Sequence, residues 1–342
     1  MNLSKLPEIL KDEPKYRLQQ VQAAIFHNLI DDWAKASNLS KALQEKLTKY
    51  FPLELDAKWL WDKPKTTAKV LIKLADGNQF EAVLMIHEKR NTVCLSSQIG
   101  CPLGCSFCAT GQMGFKRNLT AEEIILPALL FARYLKQKNE RIDSVVFMGM
   151  GEPFLNYDQV MKAIAMLNDA DKFNIGARHI SVSTVGLVPE IRKFAKEPRQ
   201  INLAISLHAP TDELRSQIIP INKKYSIEMV LEAVKEYLDL TTRKVMIEYI
   251  MIKDFNDGAE QAGRLAEALS VLPRSLFMVN LIPYNITGKY QPSDEARIKK
   301  FAVILLRNKI RATVRQSYGP EVAGACGQLA GKKRNNRKFV GK

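Results

Sequence analysis

Cys101, Cys105 and Cys108, in the run CPLGCSFC, are spaced C-x3-C-x2-C and put three thiolates within reach of one small metal centre. A closed structural zinc site takes four protein ligands, and a [4Fe–4S] cluster likewise has four irons to ligate. Three protein ligands leave one iron open to a substrate or cofactor. The spacing therefore points to a cluster that does chemistry. Free cysteine also packs as a small hydrophobe, but three in eight residues beside Gly100, Pro102 and Gly104 argue against chance burial. Zinc is the stronger rival. It would need a fourth ligand, and no Cys or His lies soon after Cys108.

Other residues offer chemistry to go with such a centre. In MGMGEP (148–153), Gly149 and Gly151 let a ligand approach the backbone and Glu152 supplies a carboxylate suited to an ammonium group. SVSTVG brings Ser183, AISLHAP brings Ser206 and His208, and LIPYN brings Asn285. Taken singly, each is more often a satisfied structural residue; together, at successive strand ends, they are harder to dismiss. Cys94 and Cys326 remain, the latter in the small-residue turn GACGQLAG. They matter only as reactive thiols, and a buried free cysteine is otherwise inert.

These residues need elements to position them. Leu18, Val21, Ile25 and Leu29 repeat at helical spacing, as do Leu43, Leu47 and Tyr50 after Ser40, an expected N-cap. The first 60 or so residues read as a small helical domain. Residues 67–74 and 79–86 alternate across Asp76-Gly77 as a β-hairpin. From about Asn91, β-rich runs at 92–96, 144–148, 179–183, 201–207, 245–251, 277–282 and 312–315 alternate with helical stretches. One of these helices opens on the capping box Thr120–Glu123. Repeated βα units imply a parallel sheet, open or closed into a full or partial barrel, with chemistry gathered where the strands' C-terminal ends meet their loops. The division expected is 1–62 helical, 63–90 hairpin extension, 91–330 α/β core and 331–342 basic tail.

The chain has 342 residues, 46% of them apolar, enough for a large core, and a formal net charge of +15 that suits a polyanionic partner such as nucleic acid. The tail adds Lys332, Lys333, Arg334, Arg337, Lys338 and Lys342 with no acid, to hold phosphates or simply to solubilise. No stretch reaches the roughly 20 apolar residues of a membrane span, the run 124–132 is interrupted by Pro127, and the N-terminus lacks an apolar signal core. A cytoplasmic protein is expected. Five cysteines, three of them clustered, fit poorly with a secreted disulfide framework.

CPLGCSFC resembles the radical S-adenosylmethionine (SAM) signature. The wider set, GCPLGCSFCATGQMGFKRNLT, MGMGEP, INLAISLHAP, NLIPYN and ACGQLAG, is similar to the RlmN/Cfr family of RNA methyltransferases over nearly the whole chain. MGMGEP and IEYIM, with Glu248 and Tyr249, look more like the RlmN branch, which modifies adenine C2, than the Cfr branch, which modifies C8.

The resemblance implies a partial (β/α)6 barrel with an N-terminal helical accessory domain. It implies that Cys101, Cys105 and Cys108 bind one [4Fe–4S] cluster, and that Gly151, Glu152, Ser183, Ser206, Leu207, His208 and Asn285 contact SAM, of which two are used per turnover. Cys326 becomes S-methylated, Cys94 resolves the intermediate through a transient Cys94–Cys326 disulfide, and Glu81 on the hairpin is the proton acceptor. The implied partners are 23S rRNA at the peptidyl-transferase region, tRNA through its anticodon loop, and an external electron donor. A monomer is expected. Three rivals remain at this point. The first is a Cfr-like C8 methyltransferase. The second is a glycyl-radical activating enzyme, which leaves Cys94 and Cys326 without a role. The third is a non-enzymatic metal-containing RNA-binding protein.

Overall fold

Val245–Met251 is buried along nearly its whole length, and a strand of that kind needs cover on both faces. The computed structural model, which describes residues 1, 3–316 and 318–330, provides that cover. Its strands are β1 (Ala57–Trp61), β2 (Thr67–Lys73), β3 (Gln79–His87), β4 (Arg90–Cys94), β5 (Gln98–Gly100), β6 (Phe115–Asn118), β7 (Ser144–Phe147), β8 (Ile180–Thr184), β9 (Asn202–Ser206), β10 (Val245–Met251), β11 (Phe277–Pro283) and β12 (Ala312–Val314). Ten of them form one sheet in the order β1-β2-β3-β4-β7-β8-β9-β10-β11-β12, while β5 and β6 form a separate pair. From β4 through β12 the pairing is parallel throughout. Among the described residues β4 and β12 do not pair with each other, so the parallel run forms an open, partial barrel.

The helices that roof this run carry their boundaries in sequence. Thr120 and Glu123 close the expected capping box on Ala121–Lys136. Ser226 caps Ile227–Thr241 and Asp294 caps Glu295–Arg307, each through the backbone N–H three residues on. Ile124, Leu129 and Phe131 of the first of these helices are fully buried against the sheet.

The N-terminal helices Tyr16–Phe26 and Lys41–Tyr50 pack through Val21, Ile25, Leu43 and Leu47, and the Ser40 cap is present. Trp33 donates to the Phe51 carbonyl at 2.7 Å and Arg133 to the Leu53 carbonyl at 3.0 Å, which ties this region to the barrel's helical layer. Two features differ from the sequence expectation. Residues 57–61, read as part of the helical region, are β1; their alternation is only five residues long, and its sense appears once β2 pairs with it. The hairpin of β2 and β3 also continues directly into the barrel, because β3 pairs antiparallel with β4. The basic tail 331–342 lies outside the described residues. No helix among the described residues is long and apolar enough to cross a membrane.

Candidate active site

The parallel strands end on one cavity. Its wall includes Cys101, Cys105 and Cys108, and also Cys94, Gly151, Glu152, Ser183, Ser206, His208, Asn285 and Cys326. Residues spread from 94 to 326 in sequence are thus brought together. Leu207 and Glu81 do not line it. Leu207 is fully buried in the core and its carbonyl accepts from Arg215. Glu81 is fully buried on β3 beside Lys69.

The cysteine loop leaves β5 at Gly100, whose φ of +75° and lack of a Cβ are both required, since an added Cβ would stand 1.8 Å from the Gly114 carbonyl oxygen. The loop is then pinned at several points. Cys101 N donates to the Gly114 carbonyl at 3.0 Å, Ser106 N to the Ile218 carbonyl at 3.0 Å, and Thr287 Oγ1 to the Phe107 carbonyl at 2.7 Å. Burial pushes the Cys101 thiol up to about 12, with Glu152 and Cys108 pushing the same way against a hydrogen bond with the Leu103 backbone. Burial raises Cys105 and Cys108 as well.

Thiols crowded together away from water hold their protons until a cation compensates the thiolates. An iron–sulfur cluster is such a cation-rich centre, so the donor set fits one. Among the described residues no three His, Cys, Asp or Glu side chains close on a point as ligands of a single ion would. All three thiols border the cavity.

Beyond the loop, the backbone of 148–153 threads tightly past the segment that joins β4 to β5. An added Cβ at Gly149 would lie 2.7 Å from the Leu95 carbonyl oxygen, and one at Gly151 2.5 Å from Gln98 Cβ. Glu152 is buried. Its Oε1 accepts from Phe154 N at 3.0 Å and its Oε2 from Val185 N at 2.9 Å. Burial pushes its carboxyl up to about 7, and these N–H donors oppose that. Each carboxylate oxygen keeps a lone pair for a further donor, so Glu152 both ties the turn to the end of β8 and can receive an ammonium group. Ser183 and Ser206 hydroxyls lie 3.2 Å apart on adjacent strands.

His208 serves as wall. Its Nδ1 accepts from Ile250 N at 3.1 Å and its ring meets Phe107 edge-on at 5.0 Å. Burial first, and Arg215 second, hold its pKa down to about 3.

Three charged residues of the site went unrecognised as such in the sequence. Arg215 is fully buried and gathers strand-end carbonyls, donating to Leu207 at 2.9 Å and Ser206 at 3.3 Å, and to Asn222 Oδ1 at 2.7 Å. Glu248, noted only as a mark of the RlmN branch, is in register with Ser206 on one side and Asn280 on the other. It accepts from Asn280 Nδ2 at 2.9 Å, and its Oε1 has no hydrogen-bond partner among the described residues. Arg315, just past β12, lies 3.9 Å from Glu248 and 3.5 Å from the Met148 sulfur, and shares the cavity with Cys94 and Cys326. The same strand-end rule that singled out Asn285 applies to Arg315, which closes the run 312–315.

The Radical SAM superfamily model matches residues 95–266, which span the cysteine loop and the ends of β7, β8 and β9. The probable dual-specificity RNA methyltransferase RlmN of Dictyoglomus turgidum is 45% identical over 93% of this chain and 91% of its own. The dual-specificity RNA methyltransferase RlmN of Vesicomyosocius okutanii subsp. Calyptogena okutanii is 42% identical over 95% of this chain and 92% of its own. A radical SAM methyltransferase from Sphaerobacter thermophilus, solved by crystallography, superimposes with a TM-score of 0.91 at 40% identity, covering 97% of this chain and 98% of that one. Fold and site together define a radical SAM enzyme. Within that superfamily, the chain belongs to the RlmN family of dual-specificity RNA methyltransferases.

Proposed function

We propose that this protein methylates C2 of an adenosine in the peptidyl-transferase region of 23S rRNA, and of an adenosine in the tRNA anticodon loop, using one [4Fe–4S] cluster and two SAM per turnover. The relatives described above carry the RlmN name along nearly the whole chain, which favours C2 over C8. Cys101, Cys105 and Cys108 hold the cluster in this reading, and Gly151, Glu152, Ser183, Ser206, His208 and Asn285 border the space for SAM. Once bound, the cluster supplies the electron that splits SAM to a hydrogen-abstracting radical, which an electron-poor ring carbon bearing only hydrogen requires.

The observation that carries the proposal is that Cys326 and Cys94 share the cavity of the cluster thiols. Cys326, as thiolate, takes a methyl group by displacement and presents that carbon to the base. A hydrogen atom is then taken from that methyl, and its carbon bonds to C2 with loss of the C2 proton and one electron. Cys94, as thiolate, attacks the Cys326 sulfur and breaks the sulfur–carbon bond, so that the freed carbon takes a proton and leaves as the base's methyl group. A Cys94–Cys326 disulfide remains for an external reductant to open. Met85, Phe107, Phe147 and Leu329 line the same space and keep water from the reacting carbon. A base looped out of its RNA reaches such a recess most readily.

Cys326→Ala tests this reading. With reconstituted protein, SAM cleavage to 5′-deoxyadenosine persists and RNA methylation falls to background. Methylation at the wild-type rate refutes the role given to Cys326.

A further inference from the structure

Glu81 sits in mid-β3, opposite Leu71 of β2, and is fully buried. Every polar group it has is turned toward the protein framework. Its backbone N–H meets the Met150 sulfur at 3.3 Å, and its carbonyl accepts from Ser96 Oγ at 2.6 Å. Its Oε1 lies 2.8 Å from Lys69 Nζ, also buried, and its Oε2 accepts from Ala330 N at 2.9 Å. A proton acceptor must come within hydrogen-bond reach of the proton it takes. Glu81 reaches the C-terminal segment and not the cavity.

That segment carries Cys326, and its other anchors are known. The Cys326 carbonyl accepts from Asn285 Nδ2 at 3.3 Å, the Gly327 carbonyl from Ala109 N at 2.8 Å, and the Leu329 carbonyl from Thr110 Oγ1 at 2.6 Å. These come from the end of β11 and from the turn after Cys108. Glu81 adds a hold from the opposite side, on the hairpin that continues the barrel sheet. A carboxylate accepting a backbone N–H is a strong bond, and a buried carboxylate persists only with a counter-ion, here Lys69.

The geometry points to Glu81 as a latch: paired with Lys69 and bonded to Ala330, it seats the segment that brings Cys326 to the cavity. It is a positioning residue and not the acceptor of a substrate proton. This deepens the functional reading above and rests on Cys326 being the methylated thiol.

Two double variants of the full chain, each reconstituted with its cluster, separate the roles. Lys69→Met with Glu81→Gln removes both charges yet keeps an oxygen for Ala330. Lys69→Met with Glu81→Met removes the oxygen too. Peptide mass spectrometry reads the fraction of Cys326 methylated after incubation with SAM. A denaturing gel reads covalent protein–RNA adduct after adding a 23S rRNA transcript.

The latch predicts that the Gln variant methylates Cys326 within about twofold of wild type and turns over without accumulating adduct. The Met variant loses about tenfold or more in Cys326 methylation, the effect of leaving the Ala330 N–H without its acceptor. If Glu81 is the proton acceptor, both variants methylate Cys326 normally and stall as the adduct, and that result overturns the latch. The Gln variant alone decides the matter if the Met variant does not fold. Wild-type protein that never methylates Cys326 would overturn the functional reading and the latch with it.

Discussion

Cys94 and Cys326 share one cavity, and Cys94 sits in surroundings that work against its thiolate. Burial, and then the nearby Cys326, push the Cys94 thiol up to about 12, so it keeps its proton at neutral pH unless a cation intervenes. Arg315 is the cation placed to do so. It acts against that rise at Cys94, and its own pKa is raised chiefly by Cys326. Replacing Arg315 with Met should slow RNA methylation by about tenfold in single-turnover assays, with Lys retaining part of the rate. Equal rates for Met and wild type would show that the charge is idle.

At His208 the expectation is the reverse. A ring held neutral down to about 3, with Nδ1 already accepting from Ile250 N, is a poor acid or base for the reaction. His208→Asn should therefore leave the pH dependence of methylation between 6 and 9 unshifted, and a moved profile would contradict its role as wall. Cys101, Cys105 and Cys108 stood out by type and spacing alone, whereas Cys94, Cys326, the glycines and Asn285 gained weight only from their strand-end places and from the family resemblance. Arg215, Glu248 and Arg315 were not legible, because a charged residue in a strand or helix reads as solvated until register and burial turn it inward. The burial of Glu81 was likewise not legible, because a Glu in an alternating strand carries no mark of which face it takes.

Among the elements, the turns around the site carry more constraint than the strands. Gly151 has a φ of +96° and no room for a Cβ beside Gln98, whereas Gly104 has a φ of +65° with nothing within 4 Å. Alanine at Gly151 combines backbone strain with overlap and should cost about 2–4 kcal/mol. Alanine at Gly104 should cost about 1–2 kcal/mol, the strain alone. Denaturant unfolding of the two variants checks the difference, and equal losses would mean that packing at Gly151 relaxes freely. The seven core strands were each legible to within a residue or two, because most of them are buried apolar runs, while the short and largely exposed β12 showed only as a β-rich run after a helix. β1, β5 and β6 were missed, being three to five residues long and defined by their partners. The helix starts at Thr120 and Ser40 were legible because a cap is local chemistry.

Over the whole molecule, the charge of +15 is the property that the cavity does not explain. Phosphate contacts release counterions, so the affinity for an rRNA transcript should fall linearly in a log–log plot against salt, by about 0.7–0.9 decades per decade for each phosphate neutralised. Filter binding at several salt concentrations reads the slope, and a slope near zero would remove the electrostatic account of RNA recognition. The α/β class and the gathering of chemistry at the strands' C-terminal ends were legible from the alternation of elements. The continuity of the N-terminal hairpin with the barrel sheet was not, because hydrogen bonding between β3 and β4 leaves no mark in composition.

In the proposed mechanism three cysteines hold a cluster with an open iron, beside a thiol that carries the methyl group. Nucleoside mass spectrometry after a single anaerobic turnover, with reconstituted protein, SAM, a reductant and unmethylated 23S rRNA transcript, tests it most directly. The account predicts 5′-deoxyadenosine together with 2-methyladenosine. Production of 8-methyladenosine, or of methylated RNA without any 5′-deoxyadenosine, would contradict it.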